Sequence, residues 1–235
     1  MKTGTLFLIP VPLAPAAGGA SFTPYLVDTI NQIKKYIVEN EKTARRFLKE
    51  AGLKTPQSEL LVHDYSKHKR NGASMKELFA GLLSGKDVGL MSEAGCPGIA
   101  DPGAEVVAQA HKLGINVSPL VGPSSIILGL MASGFNGQSF AFHGYLPIDK
   151  EPRAKRLQQL EQDAVRNKQT QVFIETPFRN NRMLETILKT CSDERLLCVA
   201  CNLTGEDEII ISESVKDWKK RKVDFHKMPA IFLLF

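Results

Sequence analysis

The sequence has few cysteines, a single tryptophan and no long apolar segment. Its four cysteines, Cys96, Cys191, Cys198 and Cys201, lack the regular spacing of a disulfide framework. No apolar run approaches the roughly 18 to 20 residues that cross a bilayer. The N-terminal TLFLIPVPLAP is too short for a secretory signal and lacks its basic flank. We therefore expect a reduced, soluble protein of the cytoplasm.

The chain also lacks the glycine motifs of the commoner nucleotide-binding folds. No GxGxxG follows the first apolar run, and there is neither a P-loop nor an acidic GxGxG methyltransferase fingerprint. Internal repeats and low-complexity tracts are absent as well. These absences weigh against a Rossmann-type dinucleotide-binding enzyme and against a P-loop NTPase.

The composition is that of an ordinary globular enzyme. With 235 residues, 43% of them hydrophobic, the chain is long enough for one large domain or two small ones. Its net charge of +5 permits a polyanionic partner such as RNA, but many enzymes with other substrates are equally basic. Charge alone leaves both alternatives open.

Predicted strands and helices alternate along the chain, which indicates an α/β fold with parallel βαβ units. A Pro-bracketed charged segment at 146–152 predicts a boundary between an N-terminal domain, 1–146, and a C-terminal domain, 147–235. We expect a mainly parallel sheet in the first domain and a mixed sheet in the second. The predicted strands are 5–9, 36–38, 88–91, 115–120, 171–175, 196–201, 209–211 and 229–235, and the predicted helices are 23–35, 42–51, 74–84, 103–113, 126–132, 153–166 and 181–190.

The segment MSEAGCPGIADPG, at 91–103, follows a predicted buried strand. Loops at the carboxyl ends of parallel strands bind ligands in α/β proteins, and glycines there let the backbone approach a ligand closely. Asp101-Pro102 has the character of a helix start, so a structural role is predicted for Asp101. Glu93 has no evident capping role. It is either a ligand-facing acid or the exposed acid of a tight turn.

A second loop of this kind, PLVGPSS at 119–125, follows the next predicted strand. Ser124 or Ser125 can cap the following helix, and the other hydroxyl is then available to a ligand. Two adjacent strand-end loops of small and polar residues predict a binding pocket.

Five segments together resemble the motifs of the tetrapyrrole methylase superfamily. Within it the chain is most similar to the ribosomal small-subunit methyltransferase I family, which methylates a cytidine ribose 2′-hydroxyl in 16S rRNA. The resemblance covers nearly the whole chain and keeps the order of the motifs, which are GTLFLIP, SEAGCPGIADPG, PLVGPSS, HGYLP and FIETPFR. It implies two α/β domains, S-adenosylmethionine (SAM) held in the cleft between them, and a homodimer.

The resemblance also implies which residues contact SAM. From the first domain they are Pro10, Glu93, Ala94, Gly95, Cys96, Ser124 and Ser125, and from the second they are Glu175, Thr176, Ala200, Cys201 and Asn202. Three segments depart from the family's pattern, and these departures indicate a divergent branch. They are the loop 11–20, which lacks a Gly-Asn pair, the segment 39–42, where Glu-Asp-Thr-Arg is replaced by Glu-Asn-Glu-Lys, and Cys201-Asn202, which stands in place of Arg-Glu.

A ribose hydroxyl is a poor nucleophile, so methylating it needs a group that accepts its proton. Glu93 and Glu39 are the candidates by position. RNA phosphates could be bound by a basic strip, although a solvated helix face is the alternative for its first three members; the strip comprises Lys42, Arg45, Arg46, Lys69 and Arg70. The run 219–222 is typical of surface charge.

Cys198 and Cys201 have CxxC spacing, but on a strand their side chains point to opposite faces, so no metal site is predicted. The sequence thus favours a SAM-dependent methyltransferase acting on RNA ribose. One alternative is methylation of a tetrapyrrole or corrinoid precursor. The other is a SAM-binding protein without turnover.

Overall fold

A computed structural model of the chain describes residues 3–15, 17–65 and 75–235. They form two compact units, Met1–Ser124 and Ser125–Phe235. Each unit is built on a five-stranded sheet. None of the helices in these ranges is long and apolar enough to cross a membrane.

The first unit contains a parallel sheet with the strand order β3-β2-β4-β1-β5. Thr23 caps α2 by accepting a hydrogen bond from the Leu26 amide, and Asn40 caps α3 through the Lys42 and Thr43 amides. The elements are β1 (Thr5–Leu8), α1 (Gly18–Ser21), α2 (Pro24–Gln32), β2 (Lys35–Val38), α3 (Glu41–Glu50), β3 (Leu61–Asp64), α4 (Met75–Leu83), β4 (Val88–Met91), α5 (Gly103–Lys112) and β5 (Asn116–Pro119), with a 3-10 turn at Gln57–Glu59.

Helices cover both faces of this parallel sheet. On one face α2 and α3 pack over strand residues such as Tyr36 and Val38. On the other face α4 and α5 pack over Leu6, Ile37 and Val88. Because the central strands are buried on both faces, they read as continuous apolar runs in the sequence.

The second unit contains a mixed sheet with the strand order β6-β7-β10-β8-β9. β6 is parallel to β7, whereas β10 is antiparallel to both β7 and β8, and β9 is antiparallel to β8. The elements are α6 (Ser125–Ser133), β6 (Phe140–Tyr145), α7 (Lys150–Asn167), β7 (Thr170–Glu175), α8 (Asn180–Thr190), β8 (Leu196–Cys201), β9 (Ile209–Ser214), α9 (Val215–Trp218) and β10 (Ala230–Leu234).

One face of the second sheet packs against α7, α8 and α9 around Phe173, Phe232 and Trp218. The other face packs against α6. A β-carbon on Gly129 of α6 would lie 2.9 Å from Ile231 Cγ2, so glycine allows this helix to approach β10 closely.

The structure confirms the predicted α/β class, with a parallel first sheet and a mixed second sheet. It adds two strands that the sequence did not indicate, β3 and β6. β3 carries His63 and Asp64, and the pairing of β6 with β7 shifts register between Phe142 and Tyr145, so neither strand presents a regular apolar pattern.

The two units divide between Ser124 and Ser125, earlier than the predicted boundary at 146/147. The reason is that α6 packs against β8, β9 and β10, and β6 pairs with β7. The Pro-bracketed segment used for the prediction is the connection from β6 to α7 within the second unit.

Candidate functional site

The carboxyl ends of β1 and β4 form a topological switch point in the first unit. The two strands are neighbours, yet β1 leads to α2 on one face of the sheet and β4 leads to α5 on the other. Ligands bind outside such strand ends in open α/β sheets because the two departing connections leave a crevice between them. The predicted residues Pro10, Glu93, Ala94, Gly95 and Cys96 all lie here.

A two-way backbone bridge joins the loops after β1 and β4. The Val11 amide donates to the Gly95 carbonyl at 2.9 Å, and the Gly95 amide donates to the Val11 carbonyl at 2.8 Å. Gly95 has φ +73°, a left-handed conformation that glycine adopts without a steric penalty. The bridge therefore fixes the loop that presents Glu93 and Ala94, both of which are exposed.

The loop after β5 is attached to the same pair of loops. The Cys96 thiol donates to the Pro123 carbonyl at 3.3 Å, and burial raises the pKa of this thiol, which keeps it protonated as a donor. Pro10 packs directly on Gly122, where a β-carbon would lie 2.1 Å from Pro10 Cγ. Three strand-end loops thus form one connected structure.

Asp101 has the structural role predicted for it. Its carboxylate accepts hydrogen bonds from the Gly103 amide at 2.6 Å and from the Gly98 amide at 2.9 Å. It thereby closes the loop 98–103 at the start of α5. Gly98 has φ +85°, so a glycine is required where the loop turns back.

Glu39 and Glu93 come together at the ends of neighbouring strands. Glu39 follows β2, and its Oε2 accepts a hydrogen bond from the Glu93 amide at 3.3 Å. Burial raises the pKa of Glu39, the hydrogen bond from Glu93 opposes that shift, and the negative charges of Glu93 and Asp101 add to it. Glu93 itself is exposed, whereas Glu39 is partly buried.

Ser124 and Ser125 stand at the division between the two units. Ser124 is the last residue of the first unit, and Ser125 is the first residue of α6 in the second. Both are partly buried.

In the second unit, Glu175 ends β7 as a buried carboxylate. Its Oε1 accepts bonds from the Thr176 amide at 2.6 Å and from the Arg179 guanidinium, at 2.9 Å from Nε and 2.6 Å from the terminal nitrogen. Its Oε2 is buried and has no hydrogen-bond partner among the residues that the structure describes. A buried oxygen without a donor is unusual in proteins and is the expected mark of a missing partner.

Asn202 lies at the same end of the second sheet as Glu175, where β7 and β8 finish. Glu175, Ala230 and Cys201 form one row across β7, β10 and β8, so Thr176 and Asn202 follow the ends of strands that run the same way. Asn202 has φ +48°, and its amide side chain donates to Asp207 at 2.6 Å. Ala200 is different because it lies within β8 and is buried, paired with Ile231 and Ile210.

The predicted basic strip is only partly available to a ligand. Lys42 and Arg46 are exposed on α3, and Arg46 is 3.9 Å from Glu50. Arg45 instead binds Glu41 at 2.9 Å and the Gln57 carbonyl at 2.7 Å, so it holds the segment that follows α3. Lys69 and Arg70 lie outside the described residues.

The cysteines on β8 behave as the strand geometry predicts. Cys201 belongs to the core beneath α7 to α9, whereas Cys198 points to the other face. Burial raises the pKa of Cys198 to about 11 and that of Cys201 to about 12, so both stay protonated at neutral pH. No cluster of three metal-ligating side chains exists among the residues that the structure describes.

The sequence did not indicate the ion pair of Arg179 with Glu175 or the contact of Gly122 with Pro10. The ion pair depends on the turn between the end of β7 and the start of α8, which no local pattern reports. The contact of Gly122 with Pro10 has no local signal, since it depends on β5 pairing with β1.

The sequence of this chain matches one family model and is similar to several known proteins. The family model described as Tetrapyrrole (Corrin/Porphyrin) Methylases matches residues 26–218. The Ribosomal RNA small subunit methyltransferase I of Synechocystis sp. is 32% identical over 205 residues, which are 87% of this chain and 69% of the relative. The protein of the same name from Pseudomonas aeruginosa is 29% identical over 221 residues, or 93% and 74% of the two chains.

Solved structures share the fold. The crystal structure of the methyltransferase CobJ has a TM-score of 0.62 and 18% identity, covering 100% of this chain and 94% of that chain. The uroporphyrin-III-C-methyltransferase of Thermus thermophilus has a TM-score of 0.58 and 16% identity, covering 98% and 94%. At these identities the likeness concerns the fold alone.

Proposed function

This chain belongs to the tetrapyrrole methylase family, a family of methyltransferases, and from that premise we propose that it methylates a ribose 2′-hydroxyl of 16S ribosomal RNA. The resemblance predicted from the sequence motifs and the predicted class of enzyme, a SAM-dependent methyltransferase, are thereby confirmed. The proposal of an RNA substrate is supported by similarity, over 87% and 93% of this chain, to two relatives named Ribosomal RNA small subunit methyltransferase I.

We place SAM against the connected loops of the first unit. The residues fit a ligand of this kind, because the bridge between Val11 and Gly95 fixes the loop and leaves Glu93 and Ala94 exposed beside it. Pro10 and Cys96 would hold the loops in place, and Ser124 would contribute a hydroxyl. SAM supplies a methyl group that is already activated on a sulfonium, so the protein's main task is to position the acceptor.

Residues of the second unit are proposed to contact SAM as well. The support is the unpartnered Oε2 of Glu175, a buried acceptor that a donor on the ligand would satisfy. Thr176, Ser125, Ala200 and Asn202 complete the proposed set. Because Ala200 is buried within β8 and paired with strands on both sides, its part would be to position the strand end at Asn202.

Glu39 is the favoured proton acceptor for the ribose hydroxyl. Burial raises the pKa of its carboxyl group, and the negative charges of Glu93 and Asp101 add to this shift, so its carboxylate is more basic than an ordinary glutamate. Glu93 would hold Glu39 through its backbone amide. Lys42 and Arg46 are the exposed members of the described part of the basic strip and would meet RNA phosphates, and Lys69 and Arg70 remain part of the proposal.

We also propose that the protein acts in the cytoplasm as a homodimer. The support for a dimer is α6, whose residues are apolar around most of its circumference. Gly129 and Leu130 are buried, whereas Ile127 and Met131 on its outer side are 46% and 74% exposed. A helix that is apolar all round is normally covered on both sides.

Tritium-labelled SAM offered with small ribosomal subunits from cells that lack this protein tests the proposal. We expect label in 16S rRNA, at a ribose resistant to alkaline cleavage on its 3′ side. Label only in an added tetrapyrrole precursor would move the activity to that substrate. SAM binding without transfer would make the protein a non-catalytic binder, and failure to bind SAM would overturn the proposed site.

A further inference from the structure

An exposed aromatic side chain lies just after β7, at the end of the second sheet where Glu175 lies. Phe178 is 67% exposed, the most exposed phenylalanine in the described part of the chain. Its ring meets the ring of His226 edge to face, with the centroids 5.7 Å apart. A large apolar ring held in water costs free energy, so its position calls for a physical reason.

The backbone around Phe178 is held firmly. The Arg179 amide donates to the Thr176 carbonyl at 2.9 Å, and the Lys227 amide donates to the Pro177 carbonyl at 3.0 Å. Asn180, which is fully buried, donates to the carbonyls of Phe225 and Met228. The turn with Phe178 and the turn with His226 are therefore fixed to each other.

Two cations lie near the turn that carries Phe178: Arg182 follows it by four residues, and Lys227 is hydrogen-bonded to Pro177 through its amide. Arg182 and Lys227 are exposed, and neither forms an ion pair with any residue in the described ranges. The acid of Glu175 is neutralised by Arg179. Asp224 is an exposed acid two residues before His226, and its carboxylate accepts bonds from Asn181 and from the His226 amide.

A second exposed aromatic residue lies at the same end of the sheet. Tyr145 ends β6, is 56% exposed and pairs with Ile174, the residue before Glu175. Exposed rings bordered by cations are the arrangement that binds unpaired nucleotides, since bases stack on the rings and phosphates meet the charges.

We infer that Phe178 is a stacking platform for an unpaired nucleobase of the RNA substrate, with Arg182 and Lys227 contacting the adjoining phosphates. This inference rests on the proposed RNA methylation and extends it, because it requires the substrate to be single-stranded at this point. An A-form duplex keeps its bases stacked internally and offers none to the ring.

Binding of a short single-stranded oligoribonucleotide that carries one 2-aminopurine tests the inference. Stacking on Phe178 should quench the 2-aminopurine fluorescence. We expect Phe178→Leu to raise Kd about fivefold or more and to abolish the quenching, whereas Phe178→Trp should retain both. Phe140→Leu is the matched control, since Phe140 is an exposed ring at the opposite end of β6.

Arg182→Gln gives an independent measurement. Removing one phosphate contact should lower the slope of log K against log salt by about 0.7 for single-stranded RNA. Equal binding and equal quenching by wild type and Phe178→Leu, with wild type still methylating RNA, would overturn this inference alone. A wild-type protein that neither binds nor methylates RNA would overturn both this inference and the proposed function.

Discussion

Burial distinguishes the carboxyl group of Glu39 from that of Glu93, although both follow neighbouring strands. Glu39 is partly buried and accepts a hydrogen bond from the Glu93 amide, and burial is the largest cause of its raised pKa. Glu93 is exposed to solvent. The raised pKa of Glu39 makes its carboxylate a better acceptor for a ribose proton than an ordinary glutamate.

Glu39→Gln is predicted to reduce methyl transfer to RNA by at least about 100-fold, because a positioned general base contributes a factor of this order. Glutamine keeps an oxygen that can accept from the Glu93 amide, so the loop should persist and SAM affinity should stay the same. Single-turnover rates and calorimetric titration with SAM measure the two quantities. Glu93→Gln is the matched control, and a greater loss of rate in that variant would assign the base to Glu93.

The same substitution has a predicted sign for stability. A carboxyl whose pKa is raised on folding binds its proton more tightly in the native state than in the unfolded state, so its ionisation destabilises the protein as the pH rises above the ordinary glutamate range. The stability of Glu39→Gln relative to wild type should therefore rise as the pH is raised from the acid range to neutral. Urea unfolding of both proteins at one acid pH and at neutral pH measures this difference. The rate of methyl transfer by the wild type, measured against pH, should fall on the acid side with an apparent pKa above the ordinary range for glutamate.

Single residues could be predicted where the reason is local. The opposite orientation of Cys198 and Cys201 follows from strand geometry, and the role of Asp101 follows from its place before a helix. The contact between Glu39 and the Glu93 amide could not be predicted, because it depends on β2 lying beside β4. Sequence order does not give this neighbour.

At the scale of elements, the loops after β1, β4 and β5 act together. Val11 and Gly95 exchange two backbone hydrogen bonds, Cys96 donates to the β5 loop, and Pro10 packs on Gly122. Each contact joins loops that follow different strands. A change in one loop should therefore alter the shape of the others.

Gly122→Ala tests this coupling. A methyl group there would overlap Pro10, with 2.1 Å to Cγ and 2.2 Å to Cβ, so the loops after β1 and β5 must separate. We expect the free energy of unfolding to fall by about 1 to 3 kcal/mol, the usual range for overpacking, and SAM affinity to fall about tenfold. Circular dichroism in urea and calorimetry measure the two effects. Gly137→Ala is the control, because Gly137 has open space around it; normal SAM affinity in Gly122→Ala would contradict the coupling.

Most elements could be predicted from apolar runs and capping residues, as for β4 and for α2 with Thr23-Pro24 at its start. β3 and β6 could not, because edge strands are only partly buried and need not be apolar throughout. Both lie at an edge of their sheets. Their position depends on pairing with β2 and β7, which no local pattern reports.

At the scale of the whole molecule, the two units have separate cores, and the assignment of α6 and β6 to the second unit is their main organisational feature. A chain divided at 146/147 would lose both elements from the second unit. The β7 edge would lose its neighbour β6, and the face of β10 with Ile231 and Leu233 would lose its cover.

Two fragments distinguish these boundaries. A fragment of residues 125–235 should unfold cooperatively in urea, because it keeps the complete mixed sheet with helices on both faces. A fragment of residues 147–235 should show no cooperative transition and should aggregate through its exposed β7 edge. Trp218, the single tryptophan, is buried and donates to the Leu197 carbonyl at 2.8 Å, so its fluorescence reports the core of this unit in both fragments. Equal cooperativity in the shorter fragment would show that α6 and β6 are dispensable and would restore the boundary predicted from the sequence.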